Sequence, residues 1–228
     1  MSANRLQRMQ SVLERRQPDL TVAMAGVNKE HNVSAVLRSC DAVGVGEAHV
    51  LGTEGRLAVK RTAASGVRRY VALRQHRELL DGCDHLQGRG FRLVAADCTE
   101  QAVDFRAVDY TRPVALVLGR ELLGIPEPVM ARVDATIRIP MAGLAESLNV
   151  SVAAAVVLYE AQRQRVAAGL YDRCRLDPEV YRRTLFEWLH PRIARYCRQR
   201  GLAYPELDDD GEVAAASGLR TGRPPSLP

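Results

Sequence analysis

One string of the sequence, residues 31–44 (HNVSAVLRSCDAVG), places an amide and a guanidinium on the same predicted helix. Asn32 comes near the helix start, and Arg38 lies between one and two turns further along. Arginine is suited to phosphate recognition through its planar guanidinium. Taken alone, the string fits better with Asn32 as an N-cap and Arg38 as a solvated side chain.

A second string, residues 113–129 (PVALVLGRELLGIPEPV), runs from an apolar strand into a glycine-containing loop. Gly119 ends the strand, and Glu121 and Gly124 lie in the loop that follows. Open α/β sheets bind ligands at the carboxyl ends of their strands, so this loop is a candidate binding site. The string fits an ordinary strand-to-helix turn, with a proline near the helix start, equally well.

The third string, residues 137–165, is the most specific of the three. A strand ends near Pro140, and Ser147 and Asn149 stand at the start of a predicted helix rich in small residues. Polar groups there lie at the positive end of the helix dipole. Ordinary capping accounts for Ser147 but does not require the whole segment IPMAGLAESLNVSVA.

Apolar runs alternate with amphipathic helices from Leu20 to about Gly169, and this arrangement must position the three strings. The alternation predicts an α/β fold with a mainly parallel sheet covered on both faces. Gly44 and Gly46 lie between a helix and a strand, whereas a dinucleotide-binding glycine loop follows a strand and opens a helix. The pattern therefore excludes a dinucleotide-binding site, and no P-loop sequence is present.

Arginine dominates the basic residues, since Lys29 and Lys60 are the only lysines in a chain of net charge +5. Residues 4–16 predict a short basic helix, and residues 173–200 predict one or two helices in which arginines alternate with aromatic residues. Clustered arginines are typical of RNA phosphate contacts, although a GC-rich genome would enrich arginine as well. The segment from residue 205 is acidic and then rich in Gly, Pro and Ser, which predicts mobility.

Other classes of protein are disfavoured by composition. The five cysteines form no CxxC pair, and the five histidines show no ligand spacing, so we expect reduced thiols and no metal site. The apolar runs are too short to span a bilayer, and residues 1–16 are charged rather than signal-like. We therefore expect a cytoplasmic protein without a membrane partner.

Together the three strings resemble the motifs of the SpoU branch of the SPOUT RNA 2'-O-methyltransferases, which read N-x-x-x-x-x-R, G-x-E-x-x-G and I-P-M-x-G-x-x-x-S-L-N-V-S-V-A. The resemblance covers about residues 20–170 of this chain. The flanking strings RRQPDLTV, DFRAVDYTRP and LYEAQRQR are similar to those of the bacterial tRNA-modifying members.

The resemblance implies methyl transfer from S-adenosylmethionine to the 2'-hydroxyl of guanosine 18 in the tRNA D-loop. It also implies a homodimer and a SPOUT fold with a deep C-terminal trefoil knot. The catalytic residues it implies are Arg38, Asn32, Glu121, Ser147 and Asn149. The cofactor-binding residues it implies are Ala96, Leu118, Gly119, Gly124, Ile139, Met141, Ser147 and Leu148. The basic flanks would supply the RNA-binding residues Arg8, Arg15, Arg16, Arg182 and Arg195.

Two alternatives stay open at this point. Ribosomal RNA methylation is the nearer one, although such enzymes commonly carry a separate N-terminal RNA-binding domain for which the segment before Leu20 is too short. A catalytically inactive RNA-binding protein on the same fold would show damaged motifs, and the singled-out positions are intact. We expect a basic extension at 1–19, the methyltransferase domain at 20–170, a second basic extension at 171–204 and a tail at 205–228.

Overall fold

The computed structural model describes residues 3–27, 29–53, 69–120 and 123–214. The chain divides into two compact units, one formed by Met1–Glu14 together with Leu176–Pro228 and the other by Arg15–Arg175. The two flanking segments, which the sequence treats as separate extensions, thus belong to one unit.

A parallel sheet forms the centre of the unit Arg15–Arg175. Its strands in the described residues are β1 (Leu20–Ala25), β2 (Glu47–Leu51), β3 (Ala72–His76), β4 (Arg92–Ala96), β5 (Val103–Asp104), β6 (Val114–Leu118) and β7 (Ala135–Arg138). They are arranged in the order β3-β2-β1-β6-β4-β7-β5, and each neighbouring pair is parallel. The expected α/β fold with a mainly parallel sheet is confirmed, and β6 occupies the centre between β1 and β4.

Both faces of the central strands β1 and β6 are buried, which explains why these strands are almost entirely apolar rather than alternating with polar residues. Val22 and Met24 point to one core and Ala23 and Ala25 to the other. Helices α2 (Glu30–Ala42) and α5 (Val150–Ala167) contribute to the first core, while α3 (Leu79–Gly88) and α4 (Glu127–Met130) contribute to the second. A short 3-10 turn, Phe105–Ala107, follows β5.

A buried ion-pair network fixes α5 to the residues around the start of β1. Arg165 on α5 is fully buried and binds the Asp19 carboxylate at 2.6 Å, the Gln17 side chain and the backbone carbonyl of Tyr110. Arg175 binds the same carboxylate through both of its oxygens. Burial raises the pKa of Asp19, but the hydrogen bonds from Arg175 and Arg165 outweigh it and hold that pKa below its ordinary value.

The other unit contains α1 (Ala3–Glu14), α6 (Pro178–Leu189) and α7 (Pro191–Arg200). Phe186 stacks on Tyr204 with ring centroids 4.7 Å apart, and Val213 is buried in the same cluster. A β-bridge joins Leu207 to Val213, and the His190 ring hydrogen-bonds to the carbonyl of Gly211 at 2.7 Å. The expectation of a mobile tail from residue 205 is therefore wrong as far as residue 214, because this stretch packs on the helices. Residues 215–228 lie outside the described part.

A membrane-crossing helix is absent from the described part of the chain, since none of its helices is both long and apolar enough.

Candidate active site

A pocket of about 320 Å³ opens at the carboxyl ends of β4, β6 and β7. The structure brings together at this pocket all the residues singled out for cofactor binding, namely Ala96, Leu118, Gly119, Gly124, Ile139, Met141, Ser147 and Leu148. Sequence reasoning did not select other lining residues, among them Asp97, Cys98, Arg120, Arg138 and Glu146. Their position in the sequence could have identified them, because each lies within a few residues of a predicted strand end or motif position.

The loop after β6 folds back tightly on the end of its own strand. The backbone N–H of Arg120 donates to the carbonyl of Gly124 at 2.8 Å, and the N–H of Gly124 donates to the carbonyl of Arg120 at 3.0 Å. Gly124 has a φ of 63°, a left-handed conformation that favours glycine. A Cβ at Gly119 would lie 2.3 Å from the carbonyl carbon of Gly124, so glycine is required there. Glu121, predicted to be catalytic, lies outside the described residues.

Two asparagines from separate motifs meet where α2 packs beside α5. Asn32 is buried, and its Oδ1 accepts a hydrogen bond from Nδ2 of Asn149 at 3.4 Å. Asn149 also caps α5, because its Oδ1 accepts from the backbone N–H of Ser151 at 2.9 Å. The predicted capping roles are thus corrected. Lys29 occupies the N-cap position of α2, which places Asn32 inside the first turn, and Asn149 rather than Ser147 caps α5.

Arg38 lies in the second half of α2 and is exposed. Within the part of the chain that the structure describes, it has no hydrogen-bond or ion-pair partner. Ser147 is also exposed and lines the pocket just before α5. An exposed guanidinium whose donors are all available suits an anionic ligand such as an RNA phosphate.

The arginines singled out for RNA binding fall into two groups. Four of them are exposed, namely Arg8, Arg15, Arg182 and Arg195. Arg16 is buried instead, and its guanidinium binds the Asp41 carboxylate at 2.8 Å and the carbonyl of Val45 at 3.0 Å. The prediction that Arg16 contacts RNA is wrong, because α1 ends at Glu14 and Arg16 is directed into the α/β unit.

A cluster of possible metal ligands was not foreseen. Glu47, His49 and His85 each offer one ligand atom, and these atoms lie within 4.8 Å of one another. Spacing along the sequence gave no sign of this cluster, because the fold brings residues of β2 and α3 together. The cysteines are all free, with Cys98 and Cys174 exposed and the other three buried.

The parallel sheet, the pocket at its strand ends and the α2–α5 contact beside it are arranged as the resemblance to the SpoU class predicts. The chain belongs to the SpoU rRNA Methylase family, whose sequence pattern matches residues 19–159. A second pattern, described as SpoU, rRNA methylase, C-terminal, matches residues 163–216.

Within this class the chain is similar to two enzymes named tRNA (guanosine(18)-2'-O)-methyltransferase. The Thermus thermophilus enzyme is 51% identical over 185 residues, which cover 81% of this chain and 95% of that protein. The Escherichia coli K12 enzyme is 44% identical over 217 residues, which cover 94% and 95% of the two chains.

Solved structures show the same likeness. The crystal structure of the A. aeolicus TrmH/SpoU tRNA modifying enzyme superposes with a TM-score of 0.75 at 41% identity, covering 81% of this chain and 94% of that one. The SpoU methyltransferase AviRb from Streptomyces viridochromogenes, in complex with the cofactor AdoMet, has a TM-score of 0.60 at 28% identity, covering 68% and 59%.

Proposed function

We propose that this protein transfers a methyl group from S-adenosylmethionine to the ribose 2'-hydroxyl of guanosine 18 in tRNA. The observation that carries the proposal is the likeness to two enzymes of that activity over 95% of their lengths. The pocket supports it, because the three motif segments that the sequence singles out converge on one cavity or on the adjoining α2–α5 contact.

The pocket fits the methyl donor in size and in chemistry. Its volume of about 320 Å³ lies within the range of small-ligand sites. Asp97, Glu146, Arg120 and Arg138 are among its lining residues, so the pocket wall includes residues of both signs of charge, which suits a ligand that carries both. S-adenosylmethionine, when bound there, supplies a methyl group activated by a positively charged sulfur. We propose that the eight predicted lining residues bind S-adenosylmethionine. We also propose that the chain forms the deep trefoil knot of the family around this site.

The residues of this chain mainly position the reactants in the proposed mechanism. Arg38 clamps a phosphate beside the target nucleotide and thereby orients the 2'-hydroxyl, since a guanidinium is a poor proton acceptor. Asn149 donates a hydrogen bond to Asn32 and so joins α2, the helix that carries Arg38, to the start of α5. Ser147 presents a hydroxyl at the pocket wall, and Glu121 is retained as a further site residue on the motif alone.

Assembly and RNA binding follow from exposed surfaces. Val152, Tyr159 and Val166 are exposed hydrophobic residues spaced by seven on α5, so they share one face, and we propose that this face joins two copies in a homodimer. The exposed arginines at positions 8, 15, 182 and 195 are proposed to contact tRNA phosphates. The enzyme would act in the cytoplasm, without a metal in the methyl-transfer step.

The test is transfer of tritiated methyl groups from S-adenosylmethionine to an unmodified tRNA transcript. A matched transcript carries a 2'-deoxy sugar at guanosine 18 only. Incorporation into the first transcript and not the second is the expected result. Equal incorporation into both would refute the site, and incorporation into ribosomal RNA but no tRNA would refute the substrate.

A further inference from the structure

Three histidines and a glutamate meet beneath α3 at one side of the sheet. Glu47 and His49 occupy alternate positions on β2, and His76 ends the neighbouring strand β3 opposite Leu51. His85 approaches from α3. The three imidazole rings have centroids 5.3 to 5.7 Å apart. This cluster lies outside the pocket described above, and the proposed methyl transfer uses none of these residues.

Two of the ligand atoms have the spacing of a metal site. Nε2 of His49 lies 3.2 Å from Oε1 of Glu47, and ligand atoms about 2.0 Å from a tetrahedral Zn²⁺ stand roughly 3.3 Å from one another. One ligand atom of His85 lies within 4.8 Å of the other two, so a shift of about 1.5 Å would complete a three-ligand set.

Nε2 of His85 is buried without any hydrogen-bond partner among the described residues. Nε2 of His49, on a fully buried side chain, faces the Glu47 carboxylate at 3.2 Å. A buried polar atom left unbonded costs free energy, so the His85 nitrogen beside the Glu47–His49 pair points to a ligand that all three side chains could bind.

His76 supplies the supporting contact that metal-binding histidines usually have. Its Nε2 lies 3.0 Å from Nδ1 of His49. When Nδ1 of His49 carries the proton and donates it to His76, Nε2 of His49 is left with a free lone pair directed toward Glu47. Such a contact on the far nitrogen fixes the tautomer and the ring orientation of a metal ligand.

We propose that Glu47, His49 and His85 bind one divalent transition-metal ion, with Zn²⁺ the best match to two imidazoles and a carboxylate. Water occupies the fourth position, as it does in sites with three protein ligands. The ion ties strand β2 to helix α3. This proposal is independent of the methyl-transfer reaction.

Two guanidiniums compete with the ion for Glu47. Nη1 of Arg89 lies 2.8 Å from Oε1 of Glu47, and Nε of Arg74 lies 3.8 Å from the same oxygen. Both arginine side chains are about half exposed, so they can turn into solvent when the metal binds. Removing Arg89 should therefore strengthen metal binding, whereas a cluster that only packs would not respond in this way.

The experiment is titration of Zn²⁺ into the full-length, untagged and chelator-treated protein by calorimetry, with Co²⁺ visible spectra as a report on coordination geometry. Wild type should bind one Zn²⁺ per chain. Glu47→Gln and His85→Gln should each weaken binding by at least about tenfold. Arg89→Gln should strengthen it several-fold. His31→Gln, at an exposed histidine of α2, is the matched control and should bind like wild type.

Circular dichroism establishes that each variant is folded, and His49 is left unchanged because it is fully buried. Absence of stoichiometric binding by wild type would overturn the proposal. So would equal affinity in wild type, Glu47→Gln and His85→Gln. If both of these variants fail to fold, the Zn²⁺ affinity of Arg89→Gln tests the proposal by itself. An affinity equal to or weaker than that of wild type would refute the site.

Discussion

Replacing Gly119 with alanine puts a methyl group where the structure has no space for one. The new Cβ would lie 2.3 Å from the carbonyl carbon of Gly124, 2.4 Å from the backbone nitrogen of Ile125 and 2.5 Å from the carbonyl oxygen of Gly124. These are backbone atoms, so no side chain can rotate away to relieve the overlap. The loop that closes the pocket must move instead.

The size of the effect follows from the overlap. Ordinary van der Waals contact begins at 3.4 Å, so the loop must retreat by 3.4 − 2.3, or about 1.1 Å. Overpacking of this kind typically costs about 1 to 3 kcal/mol, which corresponds to roughly 5- to 150-fold in a binding constant. The cost appears as weaker S-adenosylmethionine binding where the displaced loop distorts the pocket, and as a lower free energy of unfolding where the displacement strains the fold.

Calorimetric titration with S-adenosylmethionine and urea unfolding measure these two quantities on the same protein. Gly88→Ala is the matched control, because a Cβ at Gly88 meets nothing within 4 Å and Gly88 is not among the lining residues. The reasoning is refuted if Gly119→Ala changes neither the cofactor affinity nor the stability, or if Gly88→Ala has the larger effect.

Three other predictions concern turnover, stability and RNA affinity. Arg38→Ala should lower turnover by about 100-fold or more while calorimetry finds the cofactor affinity unchanged, because lost substrate orientation does not alter the pocket; loss of cofactor binding would contradict the clamp. Asp19 has a lowered pKa in the folded protein, so its contribution to stability is present above the ordinary carboxyl pKa and disappears as pH falls through the folded value. Urea unfolding at pH 7 and pH 3 should show that the free energy of unfolding depends less on pH in Asp19→Asn than in wild type. An equal dependence in both proteins would contradict this role of Asp19. Arg182→Ala and Arg195→Ala should each reduce the slope of log tRNA affinity against log salt by about 1, as measured by filter binding, and an unaltered slope would exclude a phosphate contact.

The pocket could be anticipated from the sequence because its loops follow parallel strands. Ala96, Leu118 and Ile139 come at or just after the ends of three apolar runs, and the carboxyl ends of parallel strands share one edge of a sheet. The motif resemblance selected Gly119 and Gly124, and the parallel arrangement of the strands places both at the pocket. The choice among neighbouring residues, such as Asp97 or Glu146, needed the folded loops themselves.

The ends of helices and the pairing of distant strands could not be predicted from the sequence in the same way. The sequence pattern continues the basic face of the first helix through Arg16, but the helix ends at Glu14, and the Arg16 side chain turns to bind Asp41. His49 and His76 are 27 residues apart and meet only because β2 pairs with β3 in one particular register. Nothing in local spacing specifies that register.

The position of β6 at the centre of the sheet has a consequence for synthesis on the ribosome. Strands β3, β2 and β1 can pair early, but β1 keeps a bare edge until Val114–Leu118 has left the exit tunnel. Roughly 90 residues separate the end of β1 from the start of β6, so at about 5 to 20 residues per second that edge stays unpaired for roughly 5 to 20 s. An apolar, unpaired strand edge is a template for aggregation. The nascent chain should therefore depend on chaperones during this interval, and slowing translation before residue 114 should lower the yield of soluble enzyme.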